Sequence, residues 1–401
     1  SKLMAFKTRK ILYNLHLYLG LAIGALVAFV GLTGSALILK PEAEILFNPE
    51  LYRVQPQAGR APFEQIATAA QAAYQWGDPS FTIIHFPMEE TGVYRVLMKE
   101  GFKEDSGPWF RVTLDPYTGK TLGGWIPDQS PAGFLLSLHS NLLIGEGEHG
   151  SGAKIVAMLG VATLIFGITG IILWWPGLMR LASGFKINWR SSTQKLNLDI
   201  HQVLGVLALV PLMLLAVTGV TLVFPGYVRP AVKSIMEVEP PPAAPSSDIK
   251  ADLARLSLDE VLKSADRAFP NARVTSVMIP GGDKGSFTIR KRFPNDPHQY
   301  YSNGKALVWI DQYSGEILKT HDARTMSVGS RMVHDWLFPT HTGEVAGTAG
   351  RIIAFLAGIA PAILFITGFT VWWIRRQRRN QAGSMKPDAA VTDSEVRGVP
   401  V

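Results

Sequence analysis

His16-Leu17-Tyr18-Leu19-Gly20, followed downstream by Thr33-Gly34, returns later in the chain as His201-Gln202-Val203-Leu204-Gly205, followed by Thr218-Gly219. The glycine falls 4 residues and the threonine 17 residues after the histidine in both copies. Each histidine opens a long apolar run. An imidazole at the rim of a bilayer costs free energy unless it has a partner, so finding it twice in one register points to a bound group held by both copies.

Around these histidines lie four uncharged runs, Leu17 to Leu39, Ile155 to Trp175, Val203 to Phe224 and Ile352 to Ile374, each of 21 to 23 residues. A helix of about 20 residues at about 1.5 Å per residue crosses a hydrocarbon core of about 30 Å. Four transmembrane helices are predicted, the first an uncleaved signal anchor, since no small-residue cleavage site follows it. The composition agrees: 47% of the 401 residues are hydrophobic.

Lysine and arginine in the short flanks orient the chain. Lys2, Lys7, Arg9 and Lys10 precede the first run, Arg180, Lys186, Arg190 and Lys195 join the second to the third, and Arg375, Arg376, Arg378 and Arg379 follow the fourth. Both termini and the middle linker are thus expected in the cytoplasm. Segments 40–150 and 225–350 then lie outside. They carry fourteen acids against eight bases and fourteen against fifteen. The net charge of +7 is therefore cytoplasmic charge facing anionic lipid, and the basic balance does not imply nucleic acid. Zero cysteines exclude disulfides, iron–sulfur clusters and thiolate ligation of haem.

The halves match beyond their histidines. Ile168-Thr169-Gly170 and Trp174-Trp175 in the second run recur as Ile366-Thr367-Gly368 and Trp372-Trp373 in the fourth. Asp115-Pro116-Tyr117-Thr118-Gly119 matches Asp311-Gln312-Tyr313-Ser314-Gly315, and His139 follows its aspartate by 24 residues where His334 follows by 23. This is a tandem duplication. The aspartate pattern reads as a hairpin turn rather than a cation loop, and the paired tryptophans read as an interfacial belt. Pro211 and Pro361 are expected to kink their helices.

Outside the membrane, residues 62–75 have helical periodicity and Phe81 to Phe86, Val93 to Lys99 and Trp109 to Leu114 read as strands. In the second half Ser257 and Glu260 form a capping box opening a helix to about Phe269, ahead of strands at Val274 to Ile279, Ser286 to Arg292 and Ala306 to Ile310. The predicted organisation is a cytoplasmic arm and first span (1–39), an α+β domain (40–150), a second span (151–176), a cytoplasmic linker (177–200) and a third span (201–224). A second α+β domain (225–349), a fourth span (350–375) and a disordered cytoplasmic tail (376–401) follow. A proline-rich linker, Pro240 to Pro245, precedes the second helix.

Topology sorts the nine histidines. His16 and His201 fall at the cytoplasmic ends of the first and third spans; His139 precedes the second, and His334 and His341 precede the fourth. A bis-histidine haem needs two imidazoles facing each other across one iron. His16 with His201 meets this on the inner side, and His139 with His334 on the outer side, the equal offsets ranking His334 above its rival His341. Pairing within one half would require a reach of about 25 to 35 Å along a helix. Gly20 and Gly205 share a face with their histidines, leaving room for a macrocycle or for a close helix contact. His149 is a further outer candidate, Asp199 and Asp335 are candidate partners for the imidazoles, and His85, His298 and His321 read as surface or turn residues.

Leu15-His16 with Gly20, Leu138-His139 with Gly145, His334-Asp335-Trp336-Leu337-Phe338-Pro339 with His341 and Gly343, and the Thr-Gly and Trp-Trp endings together resemble the PepSY-associated transmembrane proteins, from about residue 8 to residue 376. The resemblance implies a four-helix membrane core, two PepSY-like periplasmic domains, two b-type haems near the two membrane faces and a place in the bacterial inner membrane. It also implies an oxidoreductase of iron acquisition that reduces ferric siderophores outside the membrane and releases Fe(II). With no glycine-rich dinucleotide loop in the chain, the electron donor is expected to be quinol or a separate cytoplasmic reductase. The competing reading is a non-enzymatic, membrane-tethered module whose PepSY-like domains bind a peptide, a protease or an uptake partner, with the histidines structural or holding zinc.

Overall fold

The computed structural model describes residues 2–77, 79–101, 107–145, 150–248, 254–294, 296 and 304–384. Its principal helices are α1 (Lys2–Ile38), α2 (Phe63–Ala73), α3 (Pro131–Asn141), α4 (Ser151–Trp174), α5 (Thr193–Leu207), α6 (Leu209–Val223), α7 (Leu258–Ala268), α8 (Val328–His334), α9 (Leu337–His341) and α10 (Gly347–Ser384). Among the described residues, Lys7–Ile38, Ser151–Trp174 and Glu344–Gln381 are long and apolar enough to cross a membrane, and α5 with α6 makes a fourth span if taken together. The break between α5 and α6 falls at Ala208, three residues before Pro211. Proline offers no N–H to the preceding turn, so the helix restarts with Pro211 in its first turn, where that loss costs nothing. Pro361 is accommodated differently: α10 runs through it without interruption.

The chain divides into two compact units. One comprises Ser1–Ala28, Ile165–Val210 and Ala360–Val401; the other comprises Phe29–Leu164 and Pro211–Ile359. The first unit is helical. Its cytoplasmic linker is tied by Asp199, which is buried, pairs with Lys195 and accepts from the Asn188 backbone at 3.3 Å.

The second unit holds an antiparallel sheet of eight strands: β1 (Phe81–His85), β2 (Tyr94–Lys99), β3 (Phe110–Leu114), β4 (Thr121–Trp125), β5 (Arg273–Ile279), β6 (Ser286–Arg292), β7 (Ala306–Asp311) and β8 (Ile317–Asp322), ordered β4-β3-β2-β1-β5-β6-β7-β8. The duplicated sequence predicts two separate domains, whereas here the two sets of four strands share one sheet. The seam pairs Ile84 with Val277 and Ile83 with Met278. A sheet edge left open in each copy presents unpaired backbone groups, and pairing the two β1-type edges satisfies both.

One core serves both copies. Ile66 and Ala70 of α2 and Leu258, Val261, Leu262 and Ala265 of α7 lie at helical spacing and pack on the alternating inward residues Tyr94, Val96, Met98, Val112, Ile289, Val308 and Ile310. Ser257 and Glu260 form the expected capping box. The Asp-x-Tyr motifs are hairpin turns: Asp115 Oδ1 accepts from the Tyr117 N–H at 2.8 Å, Asp311 Oδ1 from that of Tyr313 at 2.9 Å, and Gly119 and Gly315 sit at φ of 70° and 71°.

Two facing histidine pairs

The helical unit brings His16 and His201 together, their ring centres 6.1 Å apart and their planes at 82°. Each ring is seated on a Thr-Gly step of another helix. The Nδ1 of His16 lies 2.8 Å from Thr169 Oγ1 in α4; the Nδ1 of His201 lies 3.0 Å from the Leu364 carbonyl and 3.1 Å from Thr367 Oγ1 in α10. The glycines that follow, Gly170 and Gly368, let the rings lie close: a β-carbon there would meet the Cε1 of His16 at 3.4 Å and of His201 at 3.2 Å.

The same arrangement recurs in the sheet-bearing unit, with His139 at the end of α3 and His341 at the end of α9. Their ring centres are 6.2 Å apart and their planes at 43°. His139 Nδ1 is 2.9 Å from the Val30 carbonyl and 3.4 Å from Thr33 Oγ1 in α1. His341 Nδ1 is 2.9 Å from Thr218 Oγ1 in α6 and bonds the Leu215 carbonyl as well. Gly34 and Gly219 complete the seats, a β-carbon at either meeting Cε1 of its histidine at 2.7 Å and 3.2 Å.

The threonines decide which ring nitrogen carries the proton. All four hydroxyls donate into their own helix, Thr169 to the Ile165 carbonyl at 2.7 Å, Thr367 to Ile363 at 2.7 Å, Thr218 to Leu214 at 2.7 Å and Thr33 to Val30 at 2.9 Å. With the hydroxyl hydrogen committed, what faces each Nδ1 is an acceptor, hydroxyl or carbonyl oxygen. Nδ1 must therefore be the donor, which leaves the lone pair on Nε2. Enclosure by protein lowers His139 and holds His341 at about 4, the neighbouring His139 adding to the effect. Both are neutral at pH 7 and available as ligands.

Two imidazoles bound end-on to one metal at about 2 Å per bond hold their ring centres about 6 Å apart. Both pairs meet that requirement. Gly20 and Gly205 add room, since a β-carbon at either would have its nearest neighbour at 4.0 Å and 3.7 Å, whereas Gly24 is packed against Phe365. Among the described residues there is no group of three or more histidine, cysteine, aspartate or glutamate side chains that could hold a metal ion. The donor sets are pairs, suited to the two axial positions of a haem iron whose other four ligands come from the macrocycle.

The structure seats His334 elsewhere than the equal offsets predict. Its Nε2 lies 3.0 Å from the Glu239 carbonyl, and His139 faces His341 instead. In the second half the chain turns at Asp335 and Trp336 and starts α9, whose end carries the imidazole, so counting from the aspartate turn selects the wrong helix. Pro339 does not prevent this, because it lies in the first turn of α9. Asp199 bonds the linker rather than His201, and Asp335 lies 3.7 Å from Lys305. His85 lies on β1 and His321 on β8, apart from both pairs; His149 and His298 fall outside the described residues. The four threonines were legible only as repeat markers; their recurrence with a following glycine was the signal for the seats.

The family model for the PepSY-associated TM region matches residues 13–375, and the chain belongs to that family. It is a multi-pass membrane protein. No curated protein matches the chain.

Proposed function

We propose that this protein is a di-haem electron-transfer protein of the bacterial inner membrane that reduces ferric siderophores on the periplasmic side. The observation that carries the reading is the two histidine pairs, each at axial separation and each fixed with Nε2 free. Bound b-type haem would supply one-electron Fe(III)/Fe(II) chemistry. His16 and His201 would hold one haem, and His139 and His341 the other. Donation from Nδ1 keeps each ring oriented and raises its basicity as a ligand. Apolar helices around the pairs keep water from the iron.

The substrate class comes from the family resemblance together with coordination chemistry. Hard oxygen donors hold ferric iron far more tightly than ferrous, so one electron added to the bound Fe(III) is itself the release step. The electron comes from quinol or a separate cytoplasmic reductase. No nucleophile or proton-transfer group is needed.

The purified full chain should show a Soret band and, when reduced, the split α and β bands of low-spin haem. His16→Ala and His201→Ala should each remove the same haem, His139→Ala and His341→Ala the other, and His334→Ala neither. A colourless preparation from haem-replete cells refutes the reading, and loss of a haem in His334→Ala refutes the outer pairing. Anaerobic addition of ferric siderophores to the reduced protein should reoxidise it.

A further inference from the structure

We infer that the Thr169 hydroxyl is a positioning group for His16 and sets the redox potential of the His16/His201 site, a role that the other three threonines share with a backbone carbonyl. The inference rests on the haem reading above and goes beyond it by assigning the potential to a named oxygen.

The four seats are alike in sequence but not in hydrogen bonding. Among the described contacts His201 donates to the Leu364 carbonyl and the Thr367 hydroxyl, His139 to the Val30 carbonyl and the Thr33 hydroxyl, and His341 to the Leu215 carbonyl and the Thr218 hydroxyl. In the three shared seats the carbonyl belongs to the residue three before the threonine. His16 has the hydroxyl alone, at 2.8 Å. Phe166, three before Thr169, instead packs its ring edge-on against the imidazole, with centres 5.6 Å apart.

An acceptor on Nδ1–H pushes electron density toward Nε2 and makes the imidazole a stronger donor to ferric iron. A stronger donor stabilises the oxidised state and lowers the potential. Where a carbonyl backs up the hydroxyl, losing the hydroxyl removes part of that effect. At His16 its loss removes all of it and leaves a ring N–H without a partner in apolar surroundings, which frees the ring to rotate.

The test uses the full chain carrying Thr169→Val, Thr169→Ser or Thr367→Val, with haem content and optical redox titration of both haems as readouts. Thr169→Val should raise the midpoint potential of one haem or release it, while the other haem keeps its wild-type value. Thr169→Ser should match the wild type. Thr367→Val should move the same haem by less, since the Leu364 carbonyl still accepts. The inference is overturned if Thr169→Val binds both haems at unmoved potentials, if Thr169→Ser behaves like Thr169→Val, or if Thr367→Val moves the potential as far as Thr169→Val does. A wild-type protein without haem overturns the underlying reading instead.

Discussion

Four glycines stand under four imidazoles, and the clearance differs at each. A methyl group at Gly34 would lie 2.7 Å from His139 Cε1, inside any real contact distance, while one at Gly170 would lie 3.4 Å from His16 Cε1, which is ordinary van der Waals contact. His139 is also held by the Val30 carbonyl, so it cannot retreat without breaking that bond. Gly34→Ala should therefore cost the His139/His341 site its haem, and Gly170→Ala should keep both. Haem-to-protein ratios of the two purified variants check this; equal ratios would mean that the rings are not held where the glycines put them. The histidines themselves were legible in the sequence because charged or polar groups at the ends of apolar runs need a reason. Their seats were not, because a Thr-Gly step in an apolar helix has an ordinary packing explanation until a ring is seen lying on it.

Helices α2 and α7 show how far periodicity carries. Apolar residues at helical spacing predicted both, and Ile66 and Val261 are fully buried. Truncating Ile66 to alanine should destabilise the sheet-bearing unit by about 2–5 kcal/mol through lost burial and a residual cavity. Unfolding of the detergent-solubilised protein by denaturant measures this; a change below about 1 kcal/mol would mean that the face is not a packed core. Six strands were also legible, because their inward faces alternate with apolar residues. The edge strands β4 and β8 were not. Thr121-Leu122-Gly123-Gly124-Trp125 has little side chain to alternate, and Ile317-Leu318-Lys319-Thr320-His321-Asp322 is mostly polar. Both are strands because a neighbour offers backbone partners, β3 to β4 and β7 to β8.

Across the whole molecule the distribution of charge makes one prediction that no side-chain contact enters. The cationic flanks should remain in the cytoplasm, so a reporter enzyme active only outside the cytoplasm should work when fused after residue 130 or 240. It should fail when fused after residue 190 or 384, where a cytoplasmic fluorescent reporter should succeed. The reverse pattern would invert the proposed direction of electron flow. Duplication is likewise a property of the whole chain, and its consequence differs between the units. In the helical unit each copy contributes one imidazole to a shared pair. In the other unit the copies also share a sheet, through the β1–β5 seam, and a core.

Apolar runs, cationic flanks, helical and alternating periodicities and the repeat itself were written in the sequence, because each depends only on neighbours along the chain and on the solvent each segment must meet. Which histidine faces His139, which oxygen holds each Nδ1, and whether eight strands make one sheet or two depended on residues tens to hundreds of positions apart. Distances along the chain could not decide them: a two-residue turn before α9 was enough to replace His334 by His341, and only packed helices bring a ring and its Thr-Gly seat together.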